Sequence, residues 1–127
     1  MRARLRELLP ALRERPASQV VVTGSVLGLR PPSRGGNAIY TTSKHALEGL
    51  VAAMRTEVAG SSVKLGVVNP GGVKTTWFAD EAKGGYTAGH APDTSGFLEA
   101  EEVVDALLAV IDQDKSTDIR QIVIENA

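Results

Sequence analysis

The sequence predicts an α/β fold in which short buried parallel strands alternate with helices, and three observations predict it. Val20, Val21 and Val22 form an unbroken apolar run, and Val63, Leu65, Val67 and Val68 form a second. Such runs suit strands covered on both faces. Between them Leu47, Leu50, Val51, Met54 and Val58 recur at intervals of three and four, the stripe of one long amphipathic helix. Strand, helix and strand in that order imply a right-handed parallel crossover.

The elements follow in order. From Arg2 to Arg15, Leu5, Leu8, Leu9 and Leu12 share one helical face, and Pro10 is expected to bend or end that helix. Pro16 to Ser18 break the pattern, and the Val20 strand follows. Pro31, Pro32, Ser33, Gly35 and Gly36 are loop chemistry, so the next helix has to start beyond them. That helix spans about Tyr40 to Ala59, with Gly60 where a left-handed cap is wanted. The Val63 strand ends at Pro70, Gly71 and Gly72. Trp77 to Gly96 is glycine-rich and aperiodic and reads as a long loop, with Trp77, Phe78 and Tyr86 either forming a lid or pinning the loop down. Glu101 and Glu102 open a last helix, complementing its positive end, with Val103, Val104, Leu107, Leu108 and Ile111 facing inward. Ile119 to Ile124 is a third, structural strand.

With 127 residues the chain has room for one domain, and fourteen Lys and Arg against fifteen Asp and Glu create no field that would gather nucleic acid or acidic membranes. The arginines Arg2, Arg6, Arg13 and Arg15 read as a solvated helix face. The absence of cysteine excludes disulfides and thiolate metal cages, and His45 and His90 are too few for a metal site, so no metal is expected. No apolar run nears the ~20 residues of a membrane helix, and no secretion signal opens the chain, so a cytoplasmic location is expected.

Tyr40 and Lys44 stand four apart at the start of the long helix, one turn apart on one face. An ammonium within reach of a phenol favours the phenolate and makes the tyrosine a candidate general acid or base. Ser25 follows the Val20 strand at the end where open parallel sheets present ligand sites. Its hydroxyl can bind a carbonyl or alcohol oxygen. Asn69-Pro70-Gly71-Gly72-Val73-Lys74-Thr75 follows the second strand and offers backbone groups and a hydroxyl to a polar ligand. Taken singly, each has an ordinary reading as a surface pair or a turn.

Together the three segments resemble the short-chain dehydrogenase/reductase family over nearly the whole chain. Gly24-Ser25-Val26-Leu27-Gly28 is similar to its serine-bearing strand end, and Tyr40-Thr41-Thr42-Ser43-Lys44 to its tyrosine and lysine pair. Pro70, Gly71, Val73 and Thr75 match its Pro-Gly-x-Val-x-Thr segment. The spacing from Ser25 to Tyr40 is longer than usual, with Ser33 to Gly36 as the insertion. The resemblance implies the C-terminal half of a Rossmann-like doubly wound sheet, with about three parallel strands and flanking helices in a single partial domain, residues 1–127. It implies an NAD(P)-dependent oxidoreductase that interconverts a small-molecule carbonyl and a secondary alcohol. Ser25, Tyr40 and Lys44 would be catalytic; Tyr40, Lys44, Pro70, Gly71, Val73 and Thr75 would contact NAD or NADP.

The glycine-rich turn that grips the cofactor pyrophosphate in that family is not found. Thr23 to Arg30 imitates it, but Arg30 occupies the third glycine position, and Pro31 and Pro32 forbid the helix that would receive the phosphates. The resemblance therefore places about half of the fold, including a catalytic asparagine, upstream, and implies a truncated form. The Val20 strand would then be an apolar edge, so the chain is expected to form a homo-oligomer or to associate with a separately encoded N-terminal half. The alternative is a non-catalytic fragment or interaction module.

Overall fold

The computed structural model of the chain describes residues 2–33, 37–79 and 92–127. Three strands form one parallel sheet in the order β1-β2-β3: β1 is Ser18–Thr23, β2 is Val63–Pro70 and β3 is Gln121–Ile124. Helices α1 (Arg2–Arg13), α2 (Ala38–Glu57), the short α3 (Thr76–Ala79) and α4 (Ala100–Ile111) surround it.

Side chains alternate across the strands, so each face has its own core. Val22, Val63, Leu65 and Val67 are buried with Leu5 of α1 and with Val51, Met54 and Val58 of and just beyond α2. On the other face α4 lies over all three strands. Its close approach depends on Gly66, where an added β-carbon would fall 2.5 Å from a Val110 methyl and 2.8 Å from the Ile119 carbonyl. The α2 stripe falls where its spacing predicts, and Gly60 has the expected left-handed backbone, φ 77°.

Three expectations need correction. Helix α1 does not end at Pro10 but runs on to Arg13, because the missing N–H removes only one rung while Leu5, Leu9 and Leu12 still pack on the core. Within α4, Val103 and Val110 are buried, but Val104, Leu108 and Ile111 are exposed at 49%, 45% and 43%. Residues 103, 107 and 110 share the sheet-facing stripe; 104, 108 and 111 lie on the neighbouring one. Trp77 and Phe78 sit on a short helix rather than in a loop. Tyr86, and residues 34–36 of the Ser33 to Gly36 insertion, lie outside the described residues.

Candidate active site

The carboxyl ends of β1 and β2 meet the first turns of α2. After Thr23 the chain leaves the sheet into a 3-10 turn over Val26–Gly28, and the Ser25 hydroxyl caps it by accepting from the Leu27 N–H at 3.2 Å. With one lone pair so used, the Ser25 O–H remains free to donate. The turn lies tight against α2 because residue 28 is glycine: a β-carbon there would stand 2.9 Å from the Lys44 carbonyl. Among the described residues no α-helix follows this turn until Ala38, so Thr23 to Arg30 opens no α-helix that could receive a phosphate.

Lys44 reaches from α2 to the end of β1. Its Nζ donates to the Gly24 carbonyl at 3.0 Å and to the Thr23 carbonyl at 3.3 Å, and it lies 5.5 Å from the centre of the Tyr40 ring. The ammonium therefore touches the peptide unit that carries Ser25 while flanking the phenol one turn earlier. Tyr40 is exposed, and no hydrogen bond to its hydroxyl occurs among the described residues, so the phenol faces solvent at the sheet edge. His45 turns to its own helix, with Nδ1 3.0 Å from the Thr41 carbonyl oxygen.

Pro70 ends β2, and the N–H of Gly71 after it donates to Ile124 O at 2.8 Å. The segment then turns away. Val73 bridges Leu98, with Lys74 N–H donating to Leu98 O and Leu98 N–H to Gly72 O, both at 2.9 Å. Thr75 lines an open cleft of about 490 Å³ with Lys74, Thr76, Phe78, Pro92 and Thr94, and no hydrogen bond joins it to Tyr40 or Lys44. Phe78 packs edge-on against Phe97, ring centres 5.1 Å apart, which makes it an anchor; Trp77 is exposed. Near the cleft rim the Ser95 backbone N–H, 2.9 Å from Asp93, holds the Asp93 carboxyl below its ordinary range, assisted by the Ser95 side chain.

Lys44 thus bonds the Gly24–Ser25 peptide unit and lies beside the Tyr40 ring, Pro70 and Gly71 follow Asn69 at the end of β2, and Val73 and Thr75 lie farther along. Sequence reading missed Glu48 and the side chain of Asn69. Asn69 is wholly buried; its Oδ1 accepts from the Ser25 N–H at 2.8 Å and its Nδ2 donates to Glu48 at 2.8 Å. The available signal was spacing, since Tyr40, Lys44 and Glu48 succeed each other every fourth residue on one helix face.

This arrangement of strand end, serine, tyrosine and lysine can be set beside known proteins. The sequence model described as short chain dehydrogenase matches residues 3–84. The chain belongs to the short chain dehydrogenase family. Within that family it is 39% identical over 69 residues to the uncharacterized oxidoreductase YbbO of Escherichia coli, covering 54% of this chain and 24% of that protein. It is 31% identical over 114 residues to ketoacyl reductase HetN of Nostoc, covering 90% of this chain and 37% of that one. Among solved structures, the closed form of serine dehydrogenase complexed with NADP+ superposes with a TM-score of 0.78 at 21% identity, covering 94% of this chain and 48% of that one. An alcohol dehydrogenase from Thermococcus sibiricus complexed with 5-hydroxy-NADP gives 0.71 at 24% identity, covering 94% and 46%. These structures share the fold, and the chain spans a quarter to about half the length of the relatives it matches. This short chain dehydrogenase chain is thus an oxidoreductase-family member whose sheet is parallel and flanked by helices, as the sequence predicts. No described helix is long and apolar enough to cross a membrane.

Proposed function

We propose that the chain supplies the proton-transfer side of an NAD(P)-dependent oxidoreductase that interconverts a carbonyl and a secondary alcohol. The observation that carries this reading is the Lys44 ammonium, bonded to Gly24 and Thr23 and flanking the Tyr40 ring. It brings an exposed phenol and a serine with a free O–H to one sheet edge.

In this reading Tyr40 donates a proton to the carbonyl oxygen during reduction and takes it back during oxidation. Ser25, its Oγ fixed by the Leu27 N–H, donates to that same oxygen and polarises it. Lys44 has one N–H beyond the two bonded to carbonyls, free for the phenol oxygen or a ribose hydroxyl. A nicotinamide cofactor, when bound, supplies or accepts the hydride. The donors present fit its ribose and nicotinamide end, where Tyr40 and Lys44 would hold it, with Pro70, Gly71, Val73 and Thr75 along the neighbouring segment. A cradle for its pyrophosphate is not found among the described residues, since the turn after β1 opens no helix. Whether the cofactor is NAD or NADP would be set by residues other than these.

The test is a titration of the purified chain with NADH and NADPH, following nicotinamide fluorescence. Saturable enhancement that weakens in Lys44→Ala is expected; no enhancement at millimolar cofactor would overturn the reading for this chain on its own.

A second reading, as an interaction module, is favoured by the exposed Val104, Leu108 and Ile111 of α4 and by β1, which has one partner strand among the described residues. The two readings are compatible. We propose that the chain associates through these surfaces, with a polypeptide that supplies further strands or with a second copy, and acts in the cytoplasm.

A further inference from the structure

The peptide unit joining Gly24 to Ser25 is gripped at both of its polar atoms. Its carbonyl accepts from Lys44 Nζ at 3.0 Å, and its N–H donates to Asn69 Oδ1 at 2.8 Å. Asn69 is 0% exposed, and its other polar atom, Nδ2, donates to Glu48 Oε1 at 2.8 Å. Glu48 stands one helical turn beyond Lys44, and its second oxygen accepts from Gln121 Nε2 of β3 at 3.3 Å. The contacts therefore close on themselves: from Lys44 through one turn of α2 to Glu48, across to Asn69, to the Ser25 amide, and back through the Gly24 carbonyl. Residue 24 has to be glycine for the ring to close, since a β-carbon there would fall 2.0 Å from Asn69 Oδ1.

A buried primary amide with both polar ends engaged has one low-energy orientation, because turning it over would set its N–H against the Ser25 N–H and its carbonyl against a carboxylate. Its orientation is thus dictated by Glu48. We propose that Asn69 and Glu48 are positioning residues that act through the backbone of Ser25, fixing the height of its hydroxyl relative to Tyr40. Lys44 holds one side of the peptide plane and the Glu48 and Asn69 arm holds the other. The kinetic part of this inference rests on the oxidoreductase reading; the structural part does not.

The test exploits the polarity of the arm. In Asn69→Asp two carboxylates face each other and the arm is broken. In the double variant Asn69→Asp with Glu48→Gln every hydrogen bond can re-form, with residue 48 now donating. Amide hydrogen exchange read by NMR on the whole chain should show the Ser25 N–H protected in the parent, exposed in Asn69→Asp and protected again in the double variant. The Val67 N–H, bonded to Arg120 O at 3.0 Å in the sheet, serves as the reference for global stability. Loss confined to Ser25 marks positioning, whereas equal loss at both sites would overturn the proposal by reducing the arm to general packing. Unchanged Ser25 protection in Asn69→Asp, or no recovery in the double variant, would overturn it as well.

With turnover measurable, kcat should fall about 10- to 100-fold in Asn69→Asp with the cofactor KM little changed, and recover in the double variant. A fall in kcat that the double variant does not relieve would overturn the kinetic part. If the parent shows no turnover with either nicotinamide cofactor, the oxidoreductase reading fails for this chain, and the exchange pattern alone still decides the positioning claim.

Discussion

An ammonium that donates to the carbonyls of both Thr23 and Gly24 holds a strand end as well as a phenol. The bond to Gly24 is part-buried, so removing that donor leaves an acceptor that water replaces only in part. Lys44→Met, which keeps the length of the aliphatic stem, is expected to lower unfolding free energy by about 1–3 kcal/mol, read from urea denaturation. An unchanged midpoint would show that the ammonium is not anchored at β1. The sequence made Tyr40 and Lys44 legible because four-residue spacing on a helix is a local property. It made the Lys44 contact with Gly24 illegible, because that contact joins residues twenty apart and depends on how closely Gly28 lets the turn approach α2. The Glu48 and Asn69 pair was hidden for the same reason: Asn69 sits at the end of an apolar strand and becomes informative only when its buried neighbours are known.

The elements were the most legible level, since hydrophobic period and length are written directly in the chain. The α2 stripe and the β1 and β2 runs appear where expected. What failed was the choice between adjacent stripes on α4, where Val103, Val104, Leu107, Leu108 and Ile111 leave two faces equally apolar. Gly66 settles the choice, because it opens the space in the sheet that Val110 fills. Gly66→Ala is accordingly expected to cost about 1–3 kcal/mol through overpacking, measured by thermal or urea unfolding. Because the Ile119 carbonyl also lies 2.8 Å from the added carbon, trimming Val110 to alanine should relieve only part of that cost. A neutral Gly66→Ala would mean that α4 stands farther from the sheet than described. Pro10 illustrates the opposite case, a local rule outweighed by the burial of Leu5, Leu9 and Leu12 around it.

For the molecule as a whole, the sheet and the exposed apolar stripe of α4 argue for a partner. Val104, Leu108, Ile111 and Val123 of β3 are all large, apolar and exposed. Such side chains are ordinary when scattered, but three of these share one helix stripe. Sedimentation velocity is expected to show concentration-dependent association of the chain, weakened by Val104→Ser with Leu108→Ser; a single ideal monomer at all concentrations would remove the interaction reading. Family membership was legible because three short motifs fall in order on the expected elements, and the match over residues 3–84 shows it independently. Substrate identity was not legible, because the three motifs specify proton transfer and cofactor contact and not the shape of a substrate pocket.

The proposed site has Tyr40 as its proton donor, assembled with Lys44 and Ser25. Its most direct test is NADPH oxidation by the chain over a panel of ketones and aldehydes, compared with Tyr40→Phe. The phenol is exposed and its removal should leave the unfolding midpoint in place, while turnover falls by about 10²- to 10⁴-fold. Turnover that survives Tyr40→Phe undiminished would contradict the account.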